Sequence, residues 1–207
     1  MPNFYKLIDL NIGHSINYLG YKVSERVNME LDLFSNYETL QNNYTSDCRR
    51  NIKMAFKRNL KTDTDITADE LINLFKQNIG KSLIHIKDRD YKRLSSLMNY
   101  CLENNKGRII GVKSPRKGLL FGVFMILTQE AITLLFTAGT PVSREMRIGY
   151  YIVDCIIKEF ACAKKKLDFA GSSIPSVASF MESFGCNKVP YYNIYRNKLP
   201  WPISLLK

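Results

Sequence analysis

Hydrophobic residues recur along this chain with two different periods. Over 27–33 apolar and polar residues alternate, which predicts a strand with one buried face. From there to residue 104 apolar residues recur at helical spacing. Three helical regions are predicted: 35–60 with a break near Ser46, 69–79 and 88–104. Capping-box patterns at 35–38 and 67–70 mark two of the helix starts.

The second half of the chain has a different pattern. Three short apolar runs at 108–112, 119–128 and 131–137 are joined by turn residues, which predicts an antiparallel meander. Four further elements are predicted: a helix at 144–163, a strand at 167–170, a helix at 172–184 with Pro175 in its first turn, and a strand at 189–195. Right-handed crossovers through these two helices are expected to connect parallel neighbouring strands near the end of the sheet. The order predicts an α+β fold around one mixed sheet.

Composition narrows the class of protein. The chain has 207 residues, of which 45% are hydrophobic, so a disordered protein is excluded. The longest apolar stretches, such as 118–128, are far shorter than the roughly 20 residues of a spanning helix. The N-terminus shows no basic region followed by an apolar one, so no signal peptide is expected and the predicted location is cytoplasmic.

Cysteine and histidine usage limits the available chemistry. Five cysteines are scattered without a CxxC pair, and the chain has two histidines. Reduced thiols are therefore expected in place of disulfides, and no metal site is predicted.

Positive charge is in excess, with thirty Lys and Arg against nineteen Asp and Glu and a formal charge of +11. This favours a polyanionic partner. Part of the charge lies in one predicted helix, whose basic residues include Arg49, Arg50, Lys53 and Lys57. Its apolar stripe of Ile52, Ala55, Phe56 and Leu60 turns them toward solvent. They form either an anion-binding face, for example for tRNA, or an ordinary solvated surface.

Two stretches carry a resemblance to a known family. The sequence RRNIKMA at 49–55 resembles the basic entry segment of Fem-like proteins, which are related to the GNAT acyltransferases. LDFAGS at 167–172, with VPYY at 189–192, resembles the end of the same domain. The resemblance implies a GNAT-like fold with a mostly antiparallel sheet, here over 27–207. Fem-like enzymes contain two such domains, so residues 1–26 are expected to be an extension or the remnant of a preceding domain.

The resemblance also implies where a donor binds. In GNAT enzymes the amides of a loop before the third helix hold the pyrophosphate of acyl-CoA, with the pattern Q/R-x-x-G-x-G/A. Arg144 and Gly149 match its first and last positions, whereas Arg147 replaces the middle glycine. We therefore expect an acyl-CoA site formed by Arg144, Arg147 and Gly149 with the strand end at Thr137 and Ala138. The alternative is an exposed helix start with two solvated arginines.

In the resembled families the acceptor amine attacks the acyl carbonyl directly, so no nucleophilic serine or cysteine is required. Asp168, at the end of a strand, is the expected acid–base or amine-anchoring carboxylate, and Tyr191 the expected general acid. Their alternatives are an Asp that caps the following turn and a Tyr that packs in the sheet. The family's glutamate after LDF is Ala170 here.

Two functional hypotheses follow. The first is an N-acyltransferase that moves an acyl or aminoacyl group from acyl-CoA or aminoacyl-tRNA to an amine-bearing acceptor. The second is a degenerate, non-catalytic GNAT-like module that binds an anionic partner. A cleft between strands 131–137 and 167–170 would favour the first, and a plug formed by Met146 and Arg147 would favour the second.

Overall fold

The structure, a computed structural model, describes residues 22–80, 83, 86–171 and 174–195. The strands are β1 Lys22–Asp32, β2 Gly107–Ser114, β3 Gly118–Leu127, β4 Ala131–Gly139, β5 Lys166–Asp168 and β6 Asn187–Tyr195. The helices are α1 Tyr37–Asn42, α2 Ser46–Phe56, α3 Ala68–Asn78, α4 Asp88–Glu103, α5 Pro141–Glu145, α6 Ile148–Phe160 and α7 Pro175–Glu182.

The strands form one sheet in the order β2-β3-β4-β5-β1-β6. β2, β3 and β4 are the predicted antiparallel meander, and β4 and β5 are parallel as the α6 crossover requires. β1 lies between β5 and β6 and is antiparallel to both. The second crossover, through α7, connects β5 and β6, which are parallel but separated by β1, so the expectation of neighbouring strands is wrong for this pair.

Helices cover the sheet from two sides. One core cluster joins the inner face of β1 with α1, α2 and α6, and contains the fully buried Ile152 and Ile156. The other lies under α3 and α4 and includes Leu71, Met98 and Phe124. Side chains of β3 enter both clusters because successive strand residues face opposite ways.

Local sequence signals place most helix ends. Thr67 and Glu70 form the predicted capping box of α3, and the predicted break near Ser46 separates α1 from α2. The predicted capping box at 35–38 is wrong, because Asn36 is the N-cap of α1 and its side chain accepts from the Thr39 amide. Phe56 also departs from the predicted buried stripe: it is 52% exposed and contacts Tyr151 edge-on.

The predicted helix at 144–163 is two helices. Thr140 caps α5, with Pro141 at its first position, and α6 begins only at Ile148. Arg147 joins them in the left-handed region, at φ 60 and ψ 29. The N-terminus that faces any ligand is thus that of α6, and Arg144 lies in the last turn of α5 instead of at a helix start.

The strand expected at 27–33 begins earlier, at Lys22, and so crosses the expected boundary at 26 and 27. The expectation for residues 1–21 lies outside the described residues. Among the described helices, none has the length and apolarity needed to cross a membrane.

Candidate functional site

The two parallel strands of the sheet separate after a short contact. β4 and β5 pair only through residues 131–133 and 166–168. From Leu134 to Gly139, β4 pairs with β3 alone among the described strands. The opening holds a cavity of about 620 Å³. A cleft of this size lies in the range of pockets that bury a small ligand.

A bulge in β4 directs side chains into this cavity. The β3 register passes from Phe124 opposite Phe136 to Met125 opposite Leu134, so Leu135 is the extra residue. Leu134 faces the core beside α6, whereas Phe136 faces the core beside α3. Without the bulge these two side chains would share a face. The extra residue therefore brings Thr137 and Gly139 to the cavity side.

The cavity has an apolar floor and a basic mouth. Its floor is made by side chains that are at most 9% exposed: Val123, Leu134, Val153 and Phe169. The mouth carries the exposed Arg144 and Arg147. α7 closes one side with Val177, Phe180 and Met181, and Ile79 at the end of α3 reaches the cavity from the opposite side of the sheet.

The mouth is suited to bind an anion. At the start of α6, the amide of Tyr151 donates a hydrogen bond to the carbonyl of Arg147 at 3.3 Å, which closes the first turn of the helix. The amides of residues 148–150 therefore have no acceptor within the helix. Helix N-termini carry partial positive charge, and guanidinium groups pair well with phosphate. Both features meet where Arg147 and Gly149 line the cavity.

Four of the five expected donor-binding residues line one cavity: Thr137, Arg144, Arg147 and Gly149. Ala138 does not, because the alternation of β4 turns it into the core beside α3, where it is 1% exposed.

The expected catalytic residues lie away from the cavity. The Asp168 carboxylate accepts from the Asn28 side chain at 2.9 Å and from the Ala170 amide at 2.8 Å. Its neighbours Leu167 and Phe169 are buried in the core on the cavity side, so Asp168 faces the other side of the sheet. Tyr191 lies half-buried on β6, and β1 separates that strand from β5.

The basic residues of α2 are exposed, as their pattern predicts. Arg50 pairs with Asp47 at 3.0 Å, and Arg49 contacts the carbonyl of Asn42 at 3.4 Å. At the other end of the helix, Lys57 and Arg58 line a small cleft together with Met54, Glu145 and Met146. The C-terminal end of α2 thus adjoins the end of α5 and the junction before α6, where the two mouth arginines lie.

The cleft that distinguishes the two hypotheses is open. Met146 packs toward α2 and the core instead of entering the cavity. Arg147 is exposed at the wall. Neither side chain plugs the opening between β4 and β5.

An aromatic cluster supports the floor of the cavity. Phe184 is fully buried and contacts the rings of Tyr44, Tyr150, Phe169 and Phe180. Phe184 lies in the core, and Phe180 packs against that core and also lines the cavity. The sequence holds no signal for this, because a cavity-lining phenylalanine follows the same periodicity as a core one.

A buried carboxylate that the sequence analysis did not single out lies behind this cluster. Asp154 on α6 is 1% exposed and accepts from the Tyr37 hydroxyl at 2.9 Å. Burial raises the pKa of Asp154, and the hydrogen bond from Tyr37 lowers it in part. This contact ties α1 to α6.

All five cysteines are free thiols. Burial raises the pKa of Cys48 and of Cys186 to about 12, so neither is a nucleophilic thiolate at neutral pH. Within the described residues, no group of three or more His, Cys, Asp or Glu side chains is placed to hold a metal ion.

Solved structures share this fold. The chain overlaps FemX with a TM-score of 0.66 at 13% identity, over 95% of this chain and 70% of FemX. It overlaps L-PGS from Bacillus licheniformis with a TM-score of 0.53 at 13% identity, over 97% of this chain and 68% of that one. A conserved protein of unknown function from Staphylococcus epidermidis gives 0.54 at 11% identity, over 93% and 69%. No protein-family model matches the sequence, and no curated protein gives a significant match. At these identities the likeness shows the fold alone, and it confirms the predicted α+β fold of the Fem/GNAT type.

Proposed function

We propose that this protein transfers an acyl group from a phosphate-bearing donor, an acyl-CoA or an aminoacyl-tRNA, to an amine. One observation carries the proposal: the split between β4 and β5 opens a cavity whose mouth has two arginines and the N-terminus of α6. A phosphate group at this mouth would place the acyl group of the same donor in the apolar interior. The fold shared with FemX is compatible with this arrangement.

The reaction would proceed by direct attack. The amine nitrogen forms a bond to the acyl carbonyl carbon, and the bond from that carbon to the donor's sulfur or oxygen breaks. The amine proton leaves through water and ends on the leaving thiolate or alkoxide. Amides along the edge of β4 that β5 leaves unpaired would stabilise the oxyanion. No carboxylate or imidazole lies among the described lining residues, so the amine would have to arrive neutral. Asp168 and Tyr191 stay candidates from the sequence.

A long donor has additional basic residues within reach. Lys57 and Arg58 adjoin the loop before α6. Arg49 and Arg50 lie about 12 Å further along α2, at 1.5 Å per residue. CoA would use the near residues, whereas tRNA, with its regular phosphates, would use the whole face and show a steep dependence on salt.

The experiment compares two donors and two charge-matched variants. Arg144→Ala with Arg147→Ala removes both mouth arginines, and Lys106→Ala with Lys164→Ala removes two exposed charges at the opposite end of the sheet. Isothermal calorimetry measures CoA binding, and a gel shift measures charged tRNA. We expect the mouth variant to weaken binding of the true donor at least tenfold and the control to leave it within twofold. Binding of neither donor to folded protein would refute the proposal.

A non-catalytic module is the second candidate. The observation that favours it is a described lining without a carboxylate or imidazole, combined with Arg147 at the position of the motif glycine. The two candidates differ in turnover. A protein that binds acyl-CoA but releases no thiol with a panel of amine acceptors is a binding module.

A further inference from the structure

The described wall of the cavity carries no negative charge. Its ionised side chains among the described residues are Arg144 and Arg147, and both lie at the mouth. The uncharged polar side-chain groups of the described lining are the hydroxyls of Thr137, Ser143, Tyr150 and Ser176. Of these, the Ser143 hydroxyl already donates to the Thr140 carbonyl at 2.6 Å.

The interior is apolar to its floor. Val123 on β3 and Val153 on α6 both line the cavity and are 1% and 3% exposed. Phe169 and Phe180 add aromatic surface, and Met181 adds a flexible apolar side chain that adapts to irregular shapes. An ammonium placed against these residues would lose much of its hydration without gaining a partner of opposite charge.

We propose that the group held in this cavity is an uncharged, apolar acyl chain, aliphatic or aromatic and longer than acetyl. This inference rests on the proposed function and names the substrate class of the same site. An acyl group that carries an ammonium would lie among apolar side chains with arginines nearby and no described carboxylate to pair with it. The cavity therefore disfavours aminoacyl groups and favours simple acyl thioesters.

The test uses acyl-pantetheines, which carry the acyl chain and the thioester but no phosphate. Affinity is measured by calorimetry for acetyl, butanoyl, hexanoyl, heptanoyl and octanoyl derivatives. We expect affinity to rise about fourfold for each added methylene until the cavity is filled. The 6-aminohexanoyl derivative matches heptanoyl in chain length but ends in an ammonium, and we expect it to bind at least a hundredfold more weakly.

A matched pair of variants links this preference to the cavity. Val177 and Ser179 lie two residues apart on α7, but Val177 is half-buried and lines the cavity, whereas Ser179 is exposed and does not. Val177→Phe should fill part of the space and shift the optimum to shorter chains. Ser179→Phe should leave the chain-length profile unchanged. Circular dichroism checks that both variants fold.

The outcomes separate this inference from the proposed function. Affinity that does not depend on chain length, or equal binding of the 6-aminohexanoyl and heptanoyl derivatives, overturns the inference, and so does an absence of binding by every pantetheine derivative. If CoA thioesters bind no more tightly than pantetheine thioesters, the phosphate-bearing donor is refuted, while a rising chain-length profile still supports the apolar acyl pocket.

Discussion

Replacing Arg147 by glycine separates the backbone role of this residue from the role of its side chain. Arg147 has a φ of 60 between α5 and α6, in a region that a residue with a Cβ occupies at a cost of about 1–2 kcal/mol. Glycine occupies it freely but adds roughly 0.5–1 kcal/mol of entropy to the unfolded chain. The net expectation for Arg147→Gly is a gain of about 0.5–1 kcal/mol in the free energy of unfolding. For a chain of this length, that raises Tm by about 2 °C.

Binding should change in the opposite direction. Arg147 lines the mouth of the cavity with an exposed guanidinium. Hydrogen bonds to charged groups contribute about 1.5–3 kcal/mol, and an exposed position favours the low end of that range. Loss of the guanidinium should therefore weaken CoA binding roughly tenfold. Arg147→Ala removes the same group but keeps the strained backbone, so it should weaken binding equally without the gain in stability.

Chemical denaturation measures the stability, and calorimetry the CoA binding, of the native protein and of the two Arg147 variants. Tighter CoA binding by Arg147→Gly than by the native protein would mean that Arg147 obstructs the loop, which would refute its role as a phosphate ligand. Equal stability of the glycine and alanine variants would refute the argument from the backbone.

Three further changes test other parts of the molecule. Asp168→Asn should lower stability but leave kcat/KM within about threefold, because Asp168 already bonds to Asn28 without substrate; a loss of a hundredfold or more would assign it an acid–base role. Asp154→Asn should make stability less dependent on pH. Because burial raises the pKa of Asp154, the native protein loses stability as pH rises from about 3.9 through that raised value. Denaturation curves from pH 4 to 8 should show a smaller loss in the variant. Phe184→Ala should cost about 3–5 kcal/mol in urea denaturation, since the ring is fully buried among four other aromatic rings; a cost under 1 kcal/mol would contradict that packing.

Periodicity predicted most of the elements because each has one buried face. The residues of β1 alternate because one face of the strand packs in a core cluster, and α3 and α4 show helical spacing because one side of each helix packs in the other cluster. The missed helix α5 had a local signal. Thr140 followed by Pro141 is an N-cap and a first-turn proline, and it marks the separate helix α5. The left-handed Arg147 had none, because arginine rarely takes that conformation.

The cavity was only partly predictable. The basic residues at its mouth were recognised through a motif at 144–149. Its walls come from β3, β4, α6 and α7, and their apolar residues follow the same spacing as core residues. The bulge at Leu135 is equally hidden, because one inserted residue in an apolar run leaves the run apolar. What opens the cavity is therefore a property of strand pairing that single-residue patterns do not contain.

The unpaired edge of β4 bears on the choice between the two donors. From Leu134 to Gly139 the strand has backbone groups on the β5 side that no described strand satisfies. Such groups are costly beside an apolar wall unless water or a ligand pairs with them. An extended arm with its own amides can add to a strand edge as another strand does. CoA carries such an arm between its phosphates and its thioester, whereas the 3′ end of a tRNA carries none. Within the proposed function, the edge and the uncharged interior therefore favour an acyl thioester of CoA over an aminoacyl-tRNA.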